Sequence, residues 1–248
     1  MSSSGYLDRI AGPERTPSLN QQLASPSALV AGVLNSVGFI AVAFYTSHMT
    51  GVSARVADQL VLGEYYLVGV GLLAVASFIA GAMACAVIFN WGRRRGLRGR
   101  YANVLLLEGV LMLVFGLLAE ELTASWREIV FIPVLCFTMG LQNAIITKIS
   151  GAQIRTTHVT GMVTDIGIEM GKLAYLNRTP GLDPVRGNAP KLAMLASLVL
   201  LFVLGGIIGA AGYLAIGFAV LVPCALLLVI VSHRPLMTDL GAHAEGRA

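Results

Sequence analysis

Apolar positions in this chain form long unbroken runs, and the charges fall in islands between them. A crossing of a bilayer core takes about 20 apolar residues at 1.5 Å each. The runs predict six crossings, at 27–45, 65–90, 102–119, 128–147, 191–211 and 213–232. The last two form one uncharged stretch, about twice the length a bilayer core holds. It must fold back, and Gly209-Ala210-Ala211-Gly212 is the expected turn. The segment before residue 27 is rich in Ser, Pro and Gln, lacks periodicity, and reads as a disordered tail. It is not a secretory signal, because the first apolar run starts late and is long enough to span.

Composition supports the same class. Of 248 residues, 56% are apolar and 12% charged, with a mean hydropathy of +0.77. Average soluble proteins have about 45–50% and 25%. A cytosolic, secreted or nucleic-acid-binding module is excluded; the bilayer is the expected partner. The net charge of +4 is then a topology signal, since Lys and Arg gather on the cytoplasmic side. With six crossings, all of them except Arg55 and Arg127 fall on one side, which puts both termini in the cytoplasm.

The chain repeats itself. Residues 46–51 read Thr-Ser-His-Met-Thr-Gly and residues 156–161 read Thr-Thr-His-Val-Thr-Gly. Upstream, Leu34-Asn35-Ser36 is matched by Leu141-Gln142-Asn143-Ala144. Downstream, Phe78-Ile79-Ala80-Gly81 with Cys85 is matched by Phe202-Val203-Leu204-Gly205 with Gly209. The unit is span, polar segment, span, span. Three spans are an odd number, so the second copy enters from the opposite side, as in transporters and channels whose site lies between inverted repeats. The fold expected is an all-α integral membrane protein with six transmembrane helices in two inverted three-helix repeats, each with a short polar or amphipathic helix. The divisions are 1–26 tail, 27–126 first repeat, 127–235 second repeat and 236–248 C-terminal tail. A duplicated scaffold whose polar segments only cap helices would leave the same trace.

Three motifs, Tyr45–Gly51, Gly140–Ala144 and Arg155–Gly161, resemble those of the YoaK family of bacterial multi-pass membrane proteins, over about residues 25–235. The resemblance implies a helical fold in a bacterial inner membrane. It implies no activity, because the family is a domain of unknown function.

The polar segments carry the candidate chemistry. On a helix, His158, Met162, Asp165, Glu169 and Lys172 share one stripe, and His48, Val52, Arg55 and Gln59 share its equivalent. Such helices lie in the interface or dip in as re-entrant segments sheltered by protein. Arg55 matches Asp165 and Gln59 matches Glu169, so the two helices could pair and gate a path if they meet. His48, Thr50 and Gly51, with His158, Thr160 and Gly161, stand at helix starts, where free amides and partial positive charge suit an anion or acid metabolite. Ordinary capping is the plainer role. Asn35, Gln142 and Asn143 are polar groups within spans that could line the path or bond helix to helix.

Glu108 is the acidic residue inside the third span; it should face the bundle interior, as a coupling group for protons or as a structural one. The Gly81/Cys85 and Gly205/Gly209 pairs suit close helix packing, within the chain or between copies. Cys85, Cys136 and Cys224 are scattered and read as core residues. No dense ligand spacing or nucleophile motif is present, so neither an enzyme nor a cofactor or metal is expected. A small-solute transporter or channel, anion-selective or proton-coupled, is the first reading. A membrane scaffold or regulatory protein is the second, and an intramembrane metal enzyme trails both.

Overall fold

Thr16 starts the first helix: its hydroxyl accepts the Leu19 N–H at 3.2 Å, and Pro17 follows at a position where a missing N–H costs nothing. The computed structural model describes residues 16–122, 124–151, 156–178 and 182–244. Helix α1 (Pro17–Val42) therefore begins ten residues before the boundary expected at 27. Residues 17–26 are helical because Leu23 and Ala24 are buried core residues, which a composition average over a Ser- and Gln-rich stretch conceals. The rest of that expected tail, 1–15, lies outside the described residues, as does Arg155.

The order continues with α2 (Met49–Leu62), α3 (Tyr65–Arg94), α4 (Ala102–Leu118), α5 (Ala124–Ile149), α6 (Val159–Ala174), α7 (Ala189–Ile216) and α8 (Leu221–Ala244). Single 3-10 turns sit at Ala119–Glu121 and Gly217–Val220. No strand occurs among the described residues. Five stretches there are long and apolar enough to cross a membrane, and the last, Ala189–Gly241, contains both α7 and α8. Large apolar side chains cover the outside: Leu72, Ile79, Met83 and Val87 on α3, and Leu200, Val203, Leu204 and Ile207 on α7. A surface this apolar fits lipid, not water. These are the helices of a multi-pass membrane protein.

The fold-back differs from the sequence expectation. Helix α7 runs straight through Gly209–Gly212 and ends at Gly217, whose φ of 61° is a left-handed value that glycine tolerates. Gly205 and Gly209 are instead a packing surface, where a Cβ would strike the Leu29 carbonyl and the Val33 backbone of α1.

Three tight helix pairings organise the bundle: α1 with α7, α3 with α5, and α4 with α8. Glycines set two of them. A Cβ on Gly32 would meet the Phe202 carbonyl, and one on Gly205 the Leu29 carbonyl. In the other pairing, a Cβ on Gly140 would meet the Phe78 carbonyl, and one on Gly81 the Phe137 carbonyl. Phe78 and Phe202, like Gly81 and Gly205, hold corresponding places in the sequence likeness. Both crossings are backbone against backbone, which only small residues allow. Phe115, Phe131 and Phe218 then close the core at one end, edge to face at 4.9–5.3 Å.

Candidate functional site

Helix α1 ends at Val42 with Ala43 in a left-handed conformation (φ 51°), and the chain turns back along its own helix. Asn35 holds this return: its Oδ1 accepts the Ser47 N–H at 3.2 Å and the Ser47 hydroxyl at 2.9 Å. His48 follows at the N-cap of α2. The second half does the same with Asn143, whose Oδ1 accepts the Thr157 hydroxyl just before His158 caps α6. Both histidines have nearly the same backbone, φ −92° and ψ 62° against φ −84° and ψ 60°. Neither side chain caps its helix.

Gly51 and Gly161 make room for that arrangement. A Cβ on Gly51 would run into the His48 ring, and one on Gly161 into the His158 ring. Each imidazole thus folds over the first turn of its own helix. Thr46 and Thr156 are fully buried on the opposite side of each histidine in sequence, and neither hydroxyl finds a hydrogen-bond partner among the described residues.

The two helix starts open on one cavity of about 510 Å³. Its lining joins Asn35 with Asn143, Ser47 with Thr157, His48 with His158, Met49 with Val159, Thr50 with Thr160, and Phe78 with Phe202, plus Tyr45 and Thr147. Phe78 lies near the middle of α3 and Phe202 near the middle of α7, each about 20 Å from its helix start at 1.5 Å per residue. The cavity therefore sits at mid-depth of the bundle. His48, Thr50, His158 and Thr160 remain exposed, so it is open at one side. No Asp, Glu, Lys or Arg is among its described lining residues.

Of the residues singled out from sequence, Asn35, His48, Thr50, Asn143, His158 and Thr160 meet here. Gly51 and Gly161 act behind the histidines. Gln142 does not reach the cavity: it is buried and donates from Nε2 to the Ser27 carbonyl of α1 at 3.1 Å, tying α5 to α1. Glu108 does not line it either; it is 0% exposed, and neither carboxyl oxygen has a hydrogen-bond partner among the described residues. The aromatic residues Tyr45, Phe78 and Phe202 were missed. Phe78 and Phe202 hold matching places in the sequence likeness, but an apolar residue at helical spacing carries no sign of facing a cavity, and Tyr45 has no counterpart in it.

The pairing of Arg55 with Asp165 that a meeting of the two helices would allow is not made. Asp165 pairs with Lys191 at 3.3 Å, and Arg55 is exposed, with no ion pair among the described residues. Only part of each stripe turns to a neighbouring helix: Val52 and Met162 are buried and Glu169 is 3% exposed, whereas Arg55 is exposed. The Glu169 carboxylate accepts the Asn188 N–H at the start of α7 at 2.8 Å, and pairs with Lys172 at 3.0 Å and Lys191 at 3.6 Å. That amide, then the Lys172 ammonium, hold its carboxyl below the usual carboxylate range. This cluster pins the outer end of α6 to α7 and stands apart from the cavity. Among the described residues no group of three His, Cys, Asp or Glu could hold a metal ion.

No curated protein and no solved structure matches the chain. A family model described as a protein of unknown function (DUF1275) matches residues 23–233, and the chain belongs to that family.

Proposed function

We propose that this protein is a small-solute transporter or channel of the bacterial inner membrane, and that the cavity between α2 and α6 is its solute site. In this reading six helices cross the bilayer as two inverted three-helix repeats. Both termini are cytoplasmic, where the positive-inside rule places them. Helices α2 and α6 are half-helices that start near mid-depth and run outward to opposite faces.

One observation carries the proposal: a single cavity is lined by corresponding residues of both halves, six from each. Transporters built from inverted repeats place their site there, at the starts of broken helices near the midplane. The helix pairings agree, because exchanging α1 for α5, α3 for α7 and α4 for α8 swaps the α1–α7 contact with the α3–α5 contact and leaves the α4–α8 contact as it is. A scaffold needs close helix packing, which Gly32, Gly81, Gly140 and Gly205 supply, but has no use for hydroxyls, amides and imidazoles gathered at mid-depth. Held at mid-depth of a bilayer, such groups cost about 1–3 kcal/mol each unless water or a partner satisfies them.

The test is flux. Purified protein in proteoliposomes is screened with radiolabelled or dye-reported small ions, acids and neutral solutes, beside His48→Ala and His158→Ala. The expected result is a protein-dependent flux that falls at least about tenfold in both variants. Absence of flux for every solute, from correctly inserted protein, leaves the scaffold reading in its place.

A further inference from the structure

The charge in the cavity comes from the backbone. Among the described residues its lining holds no acidic, lysine or arginine side chain. What it does hold is the beginning of two helices, of 14 and 16 residues. The first amides of each, on Met49, Thr50 and Gly51 and on Val159, Thr160 and Gly161, precede the first internal bonds, Val52 N–H to His48 and Met162 N–H to His158. Neither histidine side chain caps them, so these donors find no acceptor among the described residues. Helix starts present such orphan donors, and each carries about half an elementary positive charge.

A second observation points the same way. Asn35 is 7% exposed and lines the cavity, and its oxygen is taken up by Ser47. Its amide nitrogen has no partner among the described residues, so what Asn35 can offer the cavity is a donor. The Asn143 oxygen is likewise occupied, by Thr157. Both amide acceptors are thus turned inward on the protein, while helix N–H groups, the Thr50 and Thr160 hydroxyls and one carboxamide donor are left for an occupant. A cation would meet no carboxylate there. A neutral solute would leave the two helix ends unbalanced.

We propose that the cavity binds one small monovalent anion, held between the starts of α2 and α6. Two half-charges sum to about one positive charge, which one negative charge balances and two exceed. Selectivity then follows from donors fixed in place, with no lysine or arginine among the described lining residues for a dianion to pair with. The assignment deepens the transport reading and shares its cavity, but binding does not require passage.

The experiment is isothermal titration of the full chain, in an uncharged detergent, with sodium formate, sodium chloride and sodium sulfate at matched ionic strength. Formate or chloride should bind one per chain, at least about tenfold more tightly than sulfate. Two substitutions remove a single donor each while keeping the helix: Met49→Pro and Val159→Pro. Proline is favoured at the first helical position because its missing N–H is unpaired there in any case. Each should weaken binding at least about fivefold, whereas Met49→Leu and Val159→Leu should not, and circular dichroism of all four should match the wild type. If either proline variant misfolds, the wild-type preference for monovalent ions decides alone. Sulfate binding as tightly as formate, or no saturable binding of any of the three, overturns the assignment. Anion binding without flux overturns transport and leaves this site standing; flux of a cation or neutral solute without anion binding does the reverse.

Discussion

Asn35 holds Ser47 by both of its donors, the backbone N–H at 3.2 Å and the hydroxyl at 2.9 Å, and so fixes where α2 begins. The two lie twelve positions apart, with the end of α1 at Val42 and the left-handed Ala43 between them. Replacing Asn35 by Leu keeps the volume and strands both donors inside the protein. The expected cost is about 1–3 kcal/mol of stability, read by thermal unfolding in detergent, with flux lost at temperatures where the fold persists. Ser47→Ala, which leaves the N–H bond in place, should cost less.

The helix crossings make a sharper prediction. Alanine at Gly140, Gly81, Gly205 or Gly32 places a methyl group against a backbone carbonyl of the partner helix, which cannot move aside as a side chain can. Each should destabilise by about 1–3 kcal/mol or more. Gly167 and Gly171 on α6 have nothing within 4 Å of an added Cβ, and alanine there should stabilise by about 0.5–1 kcal/mol through helix propensity. Melting temperatures of the six variants should fall into two separate groups.

Acid should loosen α6 from α7. The Glu169 carboxyl sits below its ordinary range when folded, so its contribution is complete at neutral pH. That contribution drains away as pH falls from the unfolded value through the lowered folded one. Unfolding followed against pH should show wild type more stable than Glu169→Gln near neutrality and the two curves meeting at acid pH. A constant offset across the range would mean that the ion cluster is not the source.

Glu108 is buried, neither of its carboxyl oxygens has a hydrogen-bond partner among the described residues, and it lies outside the cavity lining. Removing a polar group in that state is expected to be neutral or stabilising. Glu108→Leu should therefore melt no lower than wild type and bind solute unchanged. A loss of several degrees would reveal a partner for the carboxyl beyond the described residues.

Hydropathy reads the long helices well because the bilayer imposes their length. The sequence also carries the recurrence of Thr-x-His-x-Thr-Gly, whose two copies line one cavity. What it misses depends on tertiary contact. Gly209–Gly212 looks like a turn by composition, yet Gly209 admits α1, and the chain reverses five residues after Gly212, at Gly217. Gln142 and Asn143 are adjacent and equally polar, but a helix turns successive residues about 100° apart. One therefore reaches α1 and the other the cavity. The Asp165–Glu169 stripe is polar because it meets Lys191 and the Asn188 amide, a partner 19 residues ahead of Glu169 that no local pattern announces.

The proposed solute site can be probed at its centre. With Cys85, Cys136 and Cys224 replaced, single cysteines at Thr50 and Thr160 are offered a membrane-impermeant thiol reagent in sealed vesicles of both orientations. Both should label, from one side or the other of the same bilayer, and small solutes that the protein carries should slow the labelling. Two cysteines that stay unreactive in either orientation, while a control at the exposed Val61 reacts, would contradict a water-filled centre between the two halves.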